Sequence, residues 1–358
     1  MDNKTFSPAE QTLFDARFEA QKIAFGPAVF MCAHYAWKEG ILEALSLAGK
    51  TGLTLDETQA ATRKNKYAIK IVLESCLSAG MVSLVNQRYV LDKVGYCILS
   101  DKITQINFDF IHDVCYEGFC ELKASLDQEK PIGLKRLGDW KTIYEGLCEL
   151  PEPAQQSWLH FDHYYSDTSF PLILPEVFSN QPKHIMDIGA NTGKFSLAAL
   201  AHHPDVFLHL VDLPLQLNRA QEALTAAHVV DRAAFYPRDF LDVHASFPNN
   251  MDLIWMSQLL SCFSEDAIAS ILRRAASSLS PNGNILIMDT FWDQQQFDIA
   301  AYCLINTSPY FTAMASGNSK VYESEDYIRL CRQVGLELIG IKKHIGFCHS
   351  LLRFKKSG

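Results

Sequence analysis

The chain has 358 residues, 48% of them hydrophobic and 20% charged, enough for two or three packed domains. A formal net charge of -9 and an isoelectric point near 5.7 argue against a broad nucleic-acid footprint, which needs clustered Lys and Arg to displace counterions, and favour small-molecule partners. Ten cysteines lie in apolar runs with no C-x-x-C pair, so they read as reduced core residues of a cytoplasmic protein, with neither a disulfide framework nor a metal site. The first residues, Met1-Asp-Asn-Lys-Thr-Phe6, do not form a basic segment followed by an apolar one. The best apolar window, Ala24 to Trp37, is interrupted by Gly26, Pro27 and His34, so no membrane partner is expected.

From Gln11 to Ser100 the pattern predicts an apolar helix through Ala28 to Leu47. A second helix opens at the capping box Thr54-Leu-Asp-Glu57, and a third covers Tyr67 to Ala79 with Ile71, Val72, Leu77 and Met81 on its apolar face. Gly80 to Val85 and Tyr89 to Leu91, joined by Asn86-Gln-Arg88, read as a hairpin. Three helices and a hairpin make a winged-helix arrangement. Residues 1 to 110 carry 12 Lys+Arg against 12 Asp+Glu, and the third helix offers Lys66 and Lys70 against Glu74, too little for a phosphate-tracking face. Dimerisation through exposed apolar helices is the better use, and no nucleic-acid partner is expected.

Residues 105 to 180 read as mostly helical and rich in aromatics. From 184 onward strands alternate with helices: 185 to 189, 206 to 212, 233 to 237, 252 to 257 and 284 to 290. A last pair, near 337 to 344 and 347 to 355, is separated by a tight turn at Gly346 and so pairs as an antiparallel hairpin closing a parallel sheet. The expected domains are 1–105, a helical connecting segment 106–180, and 181–358.

The stretch Met186-Asp-Ile-Gly-Ala-Asn-Thr-Gly-Lys194 closes the first of these strands with a glycine turn. Gly189 and Gly193 let the backbone swing from strand to helix and admit a ligand closely. Asp212, at the end of the next strand, stands where a carboxylate accepts from both ribose hydroxyls of a nucleoside. A dinucleotide fingerprint would need glycines at 191 and 194, where this chain has Asn and Lys. With Asp187 two residues before the first glycine, the turn instead resembles that of class I S-adenosylmethionine (SAM) methyltransferases.

With these pieces in order, nearly the whole chain resembles the small-molecule O-methyltransferases that include the caffeate and hydroxyindole enzymes and bacterial polyketide-tailoring relatives. Lys38-Glu-Gly-Ile-Leu-Glu-Ala-Leu45 through Val90-Leu91 is similar to the family's winged-helix dimerisation domain. Phe161-Asp-His-Tyr-Tyr-Ser-Asp-Thr-Ser169 is similar to its F-N-x-x-M-S-D-x-S element, Asp212-Leu-Pro214 to its D-L-P, and Arg238-Asp-Phe240 to its G-D-[MF]. Asp252 to Ser257 matches its fourth strand and Pro281-Asn-Gly283 the turn before its fifth.

The resemblance implies an α/β fold: a Rossmann-like doubly wound sheet with an antiparallel last strand, a helical winged-helix domain before it, and a homodimer. It implies SAM as cofactor, bound by Asp187, Gly189, Asn191, Gly193, Asp212, Leu213, Asp239, Phe240, Ser257, Tyr165 and Ser169. Asp239 would accept from the adenine amino group, and Phe240 would pack on the ring. Phe119, Trp158, Phe291, Tyr302 and Asn306 would line the acceptor pocket.

After its fourth strand the family carries H-[DN]-W-x-[DE], whose His deprotonates the acceptor hydroxyl. Here the same place holds Ser261-Cys262-Phe263-Ser264-Glu265, and Ser257 replaces the usual Lys. Replacement bases are Asp289, His163 and Asp162. The expected activity is methyl transfer from SAM to a hydroxyl of a small aromatic or polyketide-like molecule. A SAM-binding tailoring enzyme of hydroxylase or decarboxylase chemistry, or a winged-helix ligand-sensing regulator, is the alternative.

Overall fold

The computed structural model of the chain describes residues 11–357 other than 167 and 168, with the backbone alone at 165 and 166. The described residues form two compact units, 11–114 and 115–357.

The first unit opens with α1 (Leu13–Lys38), whose first turn is fixed by a capping box between Thr12 and Asp15. The predicted single helix from Ala28 to Leu47 is broken at Gly40, which adopts φ +75° and starts α2 (Ile41–Ala48) in a new direction. The Thr54 and Glu57 capping box opens α3 (Leu55–Thr62), and α4 (Lys66–Ser78) follows. The buried face of α4 is Ile69, Val72, Leu73 and Cys76, rotated from the predicted one, and leaves Ile71 and Leu77 exposed. Strands β1 (Val82–Val85) and β2 (Arg88–Leu91) pair antiparallel, then come α5 (Lys93–Ser100) and α6 (Lys102–Asp109). Ala33, Ile41, Leu45, Ile69, Leu73 and Ile98 share one core. The first half of α1 contributes nothing to it: Phe14, Phe18, Ile23 and Phe25 stand exposed.

In the second unit, α7 (Leu122–Gln128), α8 (Ile143–Gly146), α9 (Glu152–Ser166) and α10 (Phe170–Val177) lead to β3 (His184–Ile188). The alternation then runs α11 (Lys194–His202), β4 (Phe207–Asp212), α12 (Pro214–Ala226), β5 (Ala233–Pro237), β6 (Met251–Ser257), α13 (Glu265–Ser278) and β7 (Leu279–Asp289). It closes with α14 (Asp298–Tyr310), α15 (Ser324–Gln333), β8 (Leu336–Ile345) and β9 (His349–Lys356). The sheet order is β5-β4-β3-β6-β7-β9-β8. The first five strands are parallel, and β9 runs antiparallel to both neighbours.

The central strands are apolar on both faces because helices cover both. Residues of α10, α11 and α12 pack on one side, and residues of α13 and α15 on the other. Pro281-Asn-Gly283 is not a separate turn. It lies within β7, where the register to β6 shifts, and a side chain at Gly283 would run into the Met251 carbonyl, leaving room for glycine alone. Strand order reverses at β3, between β4 and β6, and the carboxyl ends of these strands open the crevice that such sheets use for ligands.

Candidate active site

A cavity of about 540 Å³ opens at those strand ends, within the usual range for a small-molecule site. Its floor is the glycine turn. Gly189 sits at φ +81°, a left-handed conformation that costs an L-residue roughly 1–2 kcal/mol. Its amide donates to the Val211 carbonyl at 2.9 Å, locking the turn against β4. Asn191 follows at φ 48° and directs its amide to Asp212 Oδ2 at 2.8 Å, while the Leu213 amide donates to Oδ1 at 2.6 Å.

The Asp212 carboxylate is thus aimed before any ligand arrives. Burial pushes its pKa up to about 6 against these two amide bonds, so a ligand that brings further donors favours the ionised form. Asp187, 2% exposed, accepts from Ser196 Oγ at 2.7 Å, and burial pushes it up to about 7. Three buried polar atoms on the same wall, Gln216 Oε1, Trp255 Nε1 and Ser257 Oγ, have no hydrogen-bond partner among the described residues. Unpaired buried groups cost about 1–3 kcal/mol each, so a polar ligand here relieves rather than creates a penalty. Carboxylate, glycine cradle and orphaned polar atoms fit a nucleoside with an amino-acid tail, as SAM requires.

The predicted cofactor residues Asp187, Gly189, Asn191, Asp212, Leu213, Asp239, Phe240 and Ser257 all line this cavity. Phe240 is 6% exposed and edge-on to Phe247 and Phe263; Asp239 is exposed and accepts from the Leu241 amide. Two others do not line it. Gly193, at φ +78°, caps α11 and lets it pack on Ala220 and Leu224 of α12, a backbone role. Ser169 is fully buried, and its hydroxyl turns to His349 Nδ1 at 3.0 Å, because a buried hydroxyl needs a partner and the imidazole supplies one. The side chain of Tyr165 lies outside the described residues.

The three predicted bases meet in one cavity but differ in their ties. Asp289 ends β7 and accepts from the Thr290 amide at 2.8 Å, the Tyr327 hydroxyl at 2.9 Å and the Ser261 amide. Burial raises it to about 6 against these bonds. It is the anchor of the Ser261 turn. His163 Nδ1 lies 2.7 Å from Lys194 Nζ. Asp162 lines the wall formed with Tyr144, Tyr310 and Cys262.

Sequence reasoning missed that wall. Trp158 Nε1 donates to the Tyr310 hydroxyl at 2.7 Å; Tyr144 is bonded to Cys262. Burial raises both phenols well above their ordinary value and the Cys262 thiol to about 12, so all three stay protonated at neutral pH. Of the five predicted pocket residues, Trp158 alone is on the cavity wall. Phe291 is buried edge-on to Tyr327, Tyr302 and Asn306 are exposed, and Phe119 does not reach the cavity. From α14 it is Cys303, Leu304 and Thr307 that line the cavity.

Comparison with known proteins agrees with this geometry. Residues 174–337 match the O-methyltransferase domain family, and residues 17–89 match the Dimerisation2-like domain family. The chain thus carries an O-methyltransferase domain preceded by a Dimerisation2-like domain. Among the relatives, it is 23% identical to the L-tyrosine C(3)-methyltransferase of Streptomyces lavendulae over 85% of this chain and 82% of that protein. It is 28% identical to the mitomycin biosynthesis 6-O-methyltransferase of the same organism over 31% of each chain. The apo crystal structure of the S-adenosylmethionine-dependent methyltransferase SibL shares the fold, with a TM-score of 0.70 at 19% identity, covering 95% of this chain and 99% of that one. Among the described residues no helix is long and apolar enough to cross a membrane.

Proposed function

We propose that this chain, as a homodimer joined through its first unit, methylates a hydroxyl of a small phenolic or polyketide-like natural product. The observation that carries the reading is the Asp212 carboxylate, held by the Asn191 and Leu213 amides beside the Gly189 turn in the lining of a largely apolar cavity. SAM, when bound, supplies an electrophilic methyl group that needs no further activation.

The protein has two tasks, alignment and proton removal. Alignment of reactants is worth roughly 7 to 11 kcal/mol. A general base contributes about 10² to 10⁴-fold. A chain with Ser261 in place of the family's His therefore keeps the larger contribution. Ser261 cannot act as base, since a neutral alcohol has no usable pKa near neutrality. Asp289 is committed to three donors, and Tyr144, Tyr310 and Cys262 hold their own protons. We assign the phenolic proton to Asp162 for its place on the wall beside those three side chains.

A second reading is favoured by the relative that spans most of this chain and is named for methylation at carbon. The same cavity and the same carboxylate would then serve a phenol whose ring carbon, ortho to the oxygen, receives the methyl group. Incubation with SAM and a panel of one- and two-ring phenols, read by release of S-adenosylhomocysteine (SAH), tests the reaction class. NMR of the product separates oxygen from carbon methylation. Failure to bind SAH at all would remove both readings.

A further inference from the structure

Three side chains form a relay behind the cavity wall. Ser169, at the start of α10, places Oγ 3.0 Å from Nδ1 of His349, and Nε2 of His349 lies 3.0 Å from Oε1 of Gln258, the residue after β6. A carbonyl oxygen only accepts, so Nε2 carries the imidazole proton, Nδ1 accepts and Ser169 donates. His349 is fully buried, and burial holds it neutral. The relay commits Oε1 of Gln258 to the imidazole. The Nε2 group of the same amide, with two N–H donors, has no acceptor among the described residues, and Gln258 lines the cavity. Its backbone stands at φ 50°, a left-handed conformation that a non-glycine residue keeps only where its surroundings hold it there.

A second donor stands near the same strand end. Trp255 of β6 is 0% exposed, stacks on Phe195 of α11 with ring centroids 4.3 Å apart, and lines the cavity. Its Nε1–H, which can only donate, has no partner among the described residues. Both side chains turn to the side of the sheet covered by α10 and α11, Trp255 through its stack and Gln258 through the relay. Two unmatched donors there require a ligand group that accepts. With the ribose on Asp212 at the end of β4 and the adenine toward Asp239 and Phe240 after β5, the rest of the cofactor runs the other way, over β3 to β6. From this juxtaposition, and resting on the function proposed above, we infer that Gln258, oriented by Ser169 and His349, holds the carboxylate of the cofactor's amino-acid tail together with Trp255. Asp187, the register partner of Trp255 on β3, is then the acidic group left for the ammonium of that tail.

Two ligands that differ by one group test this: SAH and its decarboxylated analogue, in which hydrogen replaces the carboxylate, each titrated calorimetrically into the full-length protein. Wild-type protein should bind SAH at least about tenfold more tightly than the analogue, the scale of a hydrogen bond to a charged group. Gln258→Leu should weaken SAH by about tenfold or more and the analogue by less than about threefold. Trp255→Phe, which keeps a ring against Phe195 and loses the N–H, should repeat that pattern. Gln258→Glu, which still accepts from His349 but adds a like charge, should weaken SAH further than Gln258→Leu does and leave the analogue bound at least as tightly as in wild type. His349→Phe, which removes both ring nitrogens, should give a smaller loss that again spares the analogue; an equal loss of both ligands would remove the relay from the inference. The inference is overturned if wild-type protein does not distinguish SAH from the analogue, or if the Gln258 and Trp255 variants keep the wild-type ratio or weaken both ligands equally. Loss of SAH binding in the wild-type chain would instead overturn the proposed function itself.

Discussion

The Lys194 ammonium stands 2.7 Å from Nδ1 of His163. An ammonium can only donate, so Nδ1 must accept and the imidazole proton lies on Nε2. His163 therefore offers no lone pair to a phenol while this bond holds. Its contact instead ties α9 to the first residue of α11, joining the acceptor wall to the cofactor turn.

Two of the candidate bases, His163 and Asp162, then separate by rate. His163→Ala and Ser261→Ala should each slow methyl transfer by less than about tenfold, whereas Asp162→Asn should slow it by about a hundredfold or more, the range of a lost general base. Single-turnover rates with one phenolic substrate check this. Equal losses at 162 and 163 would return the imidazole to consideration.

A pH dependence follows from Asp212. Its folded pKa is raised to about 6, from 3.8 for the ordinary group, by burial. Ribose hydroxyls donate to the ionised form, so binding lowers this pKa and releases a proton near pH 6. SAH affinity should be full above about pH 7 and decline as pH falls through 6, and Asp212→Ala should cost roughly 1.5–3 kcal/mol and flatten that decline. Calorimetry in buffers of different ionisation enthalpy measures both the affinity and the proton count.

His349 links two parts of the second unit. Its Nδ1 meets Ser169 and its Nε2 lies 3.0 Å from Gln258 Oε1, at the end of β6 on the cavity wall. Burial lowers its pKa to about 4, so the folded state holds it neutral. A depressed histidine pKa contributes stability that is present above the unfolded value of 6.5 and is lost as pH falls through 4. His349→Ala strands the Ser169 hydroxyl and should cost about 1–3 kcal/mol in urea unfolding at pH 7.5. The difference from wild type should shrink toward pH 5.

The exposed apolar face of α1, Phe14, Phe18, Ile23 and Phe25, is more than a lone unit leaves to water. Light scattering should return about twice the 40.3 kDa chain mass. Phe18→Asp with Phe25→Asp should shift the protein toward monomer. A wild-type monomer at micromolar concentration would remove the dimer.

The architecture was legible because its signals are local. A glycine turn after an apolar strand, a carboxylate at the next strand end and an N-terminal capping box each report a backbone need that few residues meet. The α4 face was misread because Ile71 and Leu77 are as apolar as Ile69 and Leu73, and periodicity alone does not say which flank turns inward. The Ser169 partner and the Trp158 to Tyr310 bond join residues 180 and 152 positions apart, and no spacing rule reaches that far. The acceptor wall is made of such distant pairs, and so the substrate's shape was hidden where the cofactor's was not.

The central claim is that SAM gives its methyl group to a phenol in a site with no imidazole at position 261. Its most direct test is incubation of the full-length protein with methyl-labelled SAM and a phenolic substrate, followed by mass spectrometry of the product and quantification of SAH. One labelled methyl group per SAH formed is the predicted result. SAM bound without label transfer, or a hydroxylated or decarboxylated product that carries no label, would contradict it.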